Sequence, residues 1–425
     1  MHTCELNTRD APATQGTSTL ATGAARACAL AAVLALCAAA GLTGRVPWAR
    51  AAPPAHARTP RHAAATAPHR TTVAGAPLDA SQRYYLTLAK AGVQQAERRW
   101  RDAPLHWYAA RLDDPERYPL ATIWDIVSLF EGIDAIAIAQ PTAANRRAVV
   151  SFAAGAERYL NRGLRPLPGY SPYPDDREAN TETWFDDNGW WGLAFVEAYR
   201  ATGSRRYLSD AARALAYIAA AGWDPEGGGI WWNTDHPFKS GPALASDTLL
   251  AVLLYQQTHS DEDLALARKF LSWGQGALFA PGQGLYVDST VNATPVDYIE
   301  GPLTYAQALL CRLTSTPSEC QTAQSLKVAS LKRFGYELDF SPQYDAIYLQ
   351  WMLALYSLEG DPSLYAMAAE NARRAVAHAV NAEGLYLLSW SGETLPAIDA
   401  EPGMLQTQAS TVSLFAWLAV YPPPA

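Results

Sequence analysis

The chain has 425 residues, 49% hydrophobic and 17% charged, enough apolar material for one large core or two smaller ones. Its formal net charge of −8 excludes the basic footprint that nucleic acid or an anionic membrane surface requires. The basic residues are mostly Arg and Ala is abundant, the usage of a GC-rich bacterial genome.

Arg9 and Arg26 precede an apolar run from Ala27 to Leu42, and Ala49-Arg50-Ala51 fits a small-x-small cleavage site. Residues 1–51 therefore read as a signal peptide or membrane leader. Cleavage would leave a periplasmic or secreted protein with no stable membrane insertion, since no later run is apolar and long enough to span a bilayer. Residues 52–77 are rich in Ala, Pro, Thr, His and Arg without an apolar period, and read as a disordered linker. From Leu78 the character changes and stays uniform, so 78–425 read as one domain, expected to be monomeric.

Helical signals then recur at short intervals. Ser81 is placed as the cap of a first helix reaching about Arg101, and Tyr118–Ala139 carries apolar residues at three- and four-residue spacing. Ten further stretches follow: Pro141–Asn161, Asn188–Thr202, Ser204–Ala221, Ala243–Gln257, Asp261–Leu278, Pro302–Arg312, Pro317–Lys332, Gln343–Leu358, Pro362–Val380 and Leu405–Tyr421. Convincing alternating strands are absent. Tight joints containing Gly or Asp alternate with long aromatic ones near Gly163–Phe185, Trp223–Pro242, Phe279–Gly301 and Glu383–Met404. A ring of helix hairpins explains this alternation, with short turns on one rim and long loops on the other. The expected fold is all-α, an (α/α)6 barrel of about twelve helices; a helical solenoid is its rival. Of the five Cys, three lie in the leader, and Cys311 and Cys320 flank a short Thr/Ser/Pro turn where a disulfide would staple a helix hairpin.

Chemistry concentrates in Trp184-Phe185-Asp186-Asp187-Asn188-Gly189-Trp190-Trp191. Two acids are what glycosidic hydrolysis usually requires, and rings suit a sugar. Adjacent residues inside a helix point about 100° apart, so both acids address one substrate only at a helix start. Neighbouring side chains can reach the short carboxyl separation of retaining enzymes, about 5–5.5 Å. An isolated Asp-Asp is more often a helix cap; the flanking rings favour a catalytic pair, with Trp184, Asn188 and Trp190 as substrate contacts.

A second aromatic loop runs from Trp223 to Asn233, where Gly227-Gly228-Gly229 permit close approach to a ligand. Trp231, Trp232, Asn233 and the nearby Lys239 are further candidate sugar contacts, although a glycine turn over buried Trp and a solvated Lys are the plainer readings. Asp125 beside Trp124, Asp297 before Tyr298 and Asp345 after Tyr344 read as loop or cap acids, with Asp125 and Tyr344 kept as candidate subsite lining. No His/Cys/Asp spacing suggests a metal, and neither a phosphate-binding Gly loop nor a nucleophilic Ser elbow is present, so no cofactor is expected.

The aromatic-Asp-Asp-Asn-x-Trp-Trp segment, followed some forty residues later by Gly-Gly-Gly-Ile-Trp-Trp-Asn, resembles glycoside hydrolase family 76. A closing Gln408-Ala409-Ser410 helix fits it as well. The resemblance implies an (α/α)6 barrel and retaining cleavage of α-1,6-mannosidic bonds, often endo-acting, in a polysaccharide. It also implies Asp186 as nucleophile and Asp187 as acid/base. Lys239-Ser240, Ser246-Asp247 and Tyr305-Ala306-Gln307-Ala308 depart from the Lys-Asn, Ser-Asn and Tyr-Asn-Gln-Gly segments common in that family, which leaves exopolysaccharides and other α-glycans open as substrates. Two rivals stand beside this reading: an epimerase or unsaturated-glucuronyl hydrolase on the same barrel, and a glycan-binding protein without catalysis.

Overall fold

The computed structural model describes residues 77–424 except 103, 115, 118 and 394–402. The expected leader and nearly all of the expected linker lie outside the described residues. Among the described residues there are twelve α-helices: α1 Ala80–Arg99, α2 Ile123–Ala139, α3 Ala143–Ala156, α4 Phe185–Thr202, α5 Arg205–Tyr217, α6 Gly241–Thr258, α7 Asp261–Ala277, α8 Asp297–Thr314, α9 Pro317–Phe334, α10 Pro342–Glu359, α11 Pro362–His378 and α12 Leu405–Val420.

The two kinds of helix differ in sequence. Every residue of α12 is buried, whereas α7 buries one stripe, Ala267, Phe270, Leu271 and Gly274. A helix buried on every face is enclosed by its neighbours, and one with a single buried stripe covers them from outside. The even-numbered helices accordingly form an inner ring: α2 packs on α4, α4 on α6, α6 on α8, α8 on α10, α10 on α12, and α12 closes on α2. The odd-numbered helices lie outside, α3, α5, α7, α9 and α11 each against the inner helix that precedes it and α1 chiefly against α12. The ring closure makes this the expected (α/α)6 barrel and excludes a solenoid.

Capping follows the sequence closely. Asp79, rather than the expected Ser81, caps α1 in a reciprocal pair with Gln82. Pro stands at the first position of α9, α10 and α11, where its missing N–H has no helical partner to lose. Gly203 and Gly360 end α4 and α10 with left-handed backbone, closing the tight turns to α5 and α11. The expected start of α8 at Pro302 is corrected: the helix begins at Asp297 and carries Pro302 in its second turn, where it offers no N–H to the Tyr298 carbonyl. Among the described residues strand character is confined to the long loops, as isolated bridges and three two-residue ladders: Arg101–Asp102 with Trp107–Tyr108, Leu160–Asn161 with Gly169–Tyr170, and Phe279–Ala280 with Leu285–Tyr286. No described helix is long and apolar enough to cross a membrane.

Cys311 of α8 and Cys320 of α9 are bonded across their turn, as the spacing suggested. The bond ties an inner helix to its outer partner at the rim of short turns. Replacing both Cys by Ser is expected to lower stability by about 2–3 kcal/mol, the loop-closure value for a ring of this size, read from urea denaturation of the two proteins side by side.

Candidate active site

All six inner helices run the same way, so their N-termini gather at the rim of long loops. Each N-terminus brings unsatisfied N–H groups and a partial positive charge to that rim. The acids are found there. Trp184 is the N-cap of α4, Phe185 its first residue, and Asp186 and Asp187 its second and third. The helix thus begins three residues before the expected Asn188 and takes both acids into its first turn. Asp187 is 3% exposed, while Asp186 is half-buried and more open to the mouth.

Asn188 is a correction. It was expected to touch substrate; instead it is wholly buried and its amide serves the scaffold. Its Oδ1 accepts the Tyr170 N–H at 2.8 Å, and its Nδ2 donates to the carbonyls of Tyr170 and Trp184, both at 3.0 Å. Asn188 therefore pins the loop before α4 to the turn that carries the acids. Gly189 follows because α6 comes too close for a side chain: a β-carbon there would stand 2.1 Å from Asp247 Oδ1 and 2.3 Å from Ser246 Oγ.

Asp247 was not singled out as a site residue by the sequence reading. It is fully buried in the second turn of α6, its Oδ1 accepts the Ser246 hydroxyl at 3.0 Å, and its Oδ2 has no protein partner among the described residues. Burial pushes its carboxyl well above the usual carboxylate range, and the charge of Asp186 adds to the rise. Burial thus favours the neutral form of this third acid, which packs against the turn that carries the adjacent pair.

The second aromatic loop acts as a brace for the first. Trp184 and Asn233 form an antiparallel bridge, Phe185 N–H donates to the Trp232 carbonyl at 3.0 Å, and Thr234 N–H donates to the Thr183 carbonyl at 3.1 Å. Asn233, expected on substrate, is buried; its Nδ2 donates to Glu182 Oε1 at 2.6 Å and its Oδ1 accepts the Asp235 N–H. Lys239 is likewise corrected: only 8% exposed, it donates to Asp224 Oδ2 at 2.7 Å and stands 3.2 Å over the Trp231 ring. That hydrogen bond holds the Asp224 carboxyl at about 2. His236 stacks on Trp231 as well, so this ring is engaged by its own loop. Trp232 stacks on Phe238 and meets Trp184 edge-on at 6.1 Å; Trp184 and Trp232 stay half-buried beside the acids. The glycines serve packing and not a ligand: Gly228 and Gly229 have φ of +69° and +83°, and side chains there would collide with Trp273 of α7.

Across the mouth stands a wall of rings. Trp124 contacts Trp190 at 6.5 Å, Tyr298 at 6.1 Å and Tyr344 at 5.8 Å, and Tyr298 contacts Tyr344 at 4.6 Å. Trp190 is 1% exposed and forms the floor of this wall, whereas Trp124, Tyr298 and Tyr344 are half-buried. Burial, with Tyr344 and Asp186 beside it, keeps the Tyr298 hydroxyl protonated and a donor. Asp125 is corrected from subsite lining to a cap: its Oδ2 accepts the Thr122 N–H and hydroxyl at 2.8 and 2.7 Å. Trp124 and Tyr298 were missed as site residues, yet a signal existed. Trp124, Asp186 and Tyr298 are each the second residue of an inner helix, and Tyr344 is the third of another. A common register at parallel N-termini brings them to one level.

A closed ring of six helix hairpins, with two adjacent acids and a wall of rings at its open rim, is the construction of an α/α-barrel glycoside hydrolase. Residues 165–316, which hold both motifs, match the family model "Glycosyl hydrolase family 76". Solved structures share the fold. A family 76 α-mannanase from Bacteroides thetaiotaomicron is 18% identical over 79% of this chain and 96% of its own, with a TM-score of 0.72. An α-1,6-mannanase from Salegentibacter sp. is 18% identical over 79% and 99%, with a TM-score of 0.65. A cellobiose 2-epimerase from Spirochaeta thermophila is 14% identical over 80% and 97%, with a TM-score of 0.55. No curated protein matches the chain in sequence.

Two outcomes separate scaffold from substrate contact. Asn188→Ala strands buried backbone groups of Tyr170 and Trp184, so thermal or urea unfolding should report a loss of about 2–4 kcal/mol, where a pure substrate contact would leave stability untouched. Asp247 contributes stability as a neutral acid: fully present below the ordinary carboxylate range, lost as pH rises through its raised folded value. Asp247→Asn should flatten that decline in melting temperature as pH rises above the ordinary carboxylate range.

Proposed function

We propose that this chain is an exported, monomeric, retaining glycoside hydrolase that cleaves α-1,6-mannosidic or closely related α-glycan linkages within a polysaccharide. The observation that carries it is the placement of Asp186 and Asp187 on successive positions of the first turn of α4, at the open rim and facing the ring wall. In this reading the Asp186 carboxylate attacks the anomeric carbon as the glycosidic C–O bond breaks, and Asp187 gives its proton to the departing oxygen. Water then attacks the glycosyl–Asp186 ester; Asp187 takes the water's proton and the ester bond breaks, regenerating both groups. The more open Asp186 suits the nucleophile. The more buried Asp187 suits the proton carrier, because a neutral acid tolerates burial better than a carboxylate. The positive end of α4 favours the ionised partner.

The Salegentibacter enzyme supports the assignment by analogy. An inactive variant of it, with two consecutive aspartates changed to asparagine, has been solved with α-1,6-mannotriose. Transfer to this chain rests on shared fold and on the adjacent pair here.

Asp186→Asn and Asp187→Asn should each lower turnover of α-1,6-manno-oligosaccharides by about 10³-fold or more with little change in melting temperature. NMR of the wild-type reaction should show the α-anomer first. Retained turnover in either variant, or a first product of inverted configuration, would sink the mechanism.

A further inference from the structure

The cavity at the rim lies beside the acid pair's cleft, between the N-terminus of α8, the end of α9 and the start of α10. It measures about 300 Å³ and is lined by Val296, Asp297, Phe334, Leu338, Phe340 and Asp345, among others. Nothing in the hydrolytic mechanism uses it.

Three observations bear on what it takes. The first is a row of rings leading to it: Trp190 to Tyr298 at 6.3 Å, Tyr298 to Tyr344 at 4.6 Å, and Tyr344 to Phe340 at 5.1 Å with the rings stacked. These strides are comparable with the length of one hexose unit. Exposure grows along the row, from 1% at Trp190 to 59% at Phe340. The second is the wall height. The segment between α9 and α10, residues 335–341, is the shortest of the rim connections that precede an inner helix, so the least chain is available to wall the mouth on this side. The third is the lining chemistry. Phe334, Leu338 and Phe340 give apolar faces, while the buried acids Asp297 and Asp345, with Arg333 and Glu337, supply polar groups. Apolar faces with a few fixed polar groups at their edge are what a sugar ring requires.

We propose that this cavity, with Phe340 as its lip, is a distal subsite for a neutral hexose unit of the same polysaccharide chain that the acid pair cleaves. The chain crosses the mouth over Tyr298 and Tyr344 and leaves past Phe340. The inference rests on the polysaccharide reading above and adds a direction and a length requirement to it.

Calorimetric titration of the Asp186→Asn/Asp187→Asn protein with α-1,6-mannotriose and α-1,6-mannohexaose tests it, with and without Phe340→Ala. The hexaose should bind about fivefold to tenfold more tightly than the triose, and Phe340→Ala should bring that ratio near one, with Phe340→Tyr restoring it. Equal affinity for the two lengths, no hexaose binding, or a ratio unmoved by Phe340→Ala overturns the subsite. Cleavage by the native enzyme is scored separately: hexaose held at Phe340 but never cut would refute the hydrolase reading and leave the subsite standing, and cleavage indifferent to Phe340 would do the reverse.

Discussion

The direction of the six inner helices is the constraint from which the site follows. Five inner helices, α2 to α10, are each joined to the next outer one by a tight turn, such as Gly203-Ser204 or Gly360-Asp361, which forces the pair antiparallel, and α12 completes the ring by packing against α1. Six antiparallel pairs closed in a ring leave every inner helix pointing the same way. Their positive ends therefore accumulate at one rim, and the long loops with them. A rim of orphan N–H groups tolerates carboxylates as few other places in a helical protein do. Asp125, Asp186, Asp187, Asp297 and Asp345 all sit within the first turns of these helices.

Positive ends alone would give a rim of ordinary caps, which is what Asp125 is. The first turn of α4 differs because its surroundings immobilise it. Asn188 ties it to the Tyr170 loop, the Trp232–Asn233 segment pairs with the strand-like residues before it, and Gly189 lets α6 press directly against it. The Lys239–Asp224 pair and the Trp273 ring hold the bracing loop in turn. The departures from family 76 segments at Lys239-Ser240 and Ser246-Asp247 thus fall on the brace and on the helix packed against the acids. Tyr305 lies deeper in α8, stacked on Trp351, with Arg200 and Tyr421 nearby. The changes nearest the acid pair therefore place a further acid, Asp247, against the first turn of α4.

Helix number and order, the alternation of short and long joints, the disulfide and the location of the acids at a helix start were all legible in the amino-acid sequence. Each depends on features contained within one stretch: apolar residues at helical spacing, Asp, Ser or Pro at a start, Gly at an end. The family resemblance was legible too, because both motifs are contiguous. Boundaries erred where local chemistry was ambiguous. Pro302 resembled a helix start and is an interior residue, and the Asp-Asp pair resembled a lead-in and is the first turn itself.

What the sequence could not settle was the partner of each polar or aromatic side chain. Asn188, Asn233, Lys239 and the Gly228-Gly229 pair looked like ligand contacts because they flank the acids and rings in sequence. After folding they face other loops and helices, and their bonding capacity is used there. Trp124, Tyr298 and Tyr344 lie on three different helices with no sequence proximity to Asp186, and ring closure brings them opposite it. By itself the sequence determined the helices and the candidate acid pair, since periodicity, capping and contiguous motifs act over a few residues. Only the tertiary structure decided which residues face the mouth and which hold it together, since that depends on contacts formed when distant helices close into a ring.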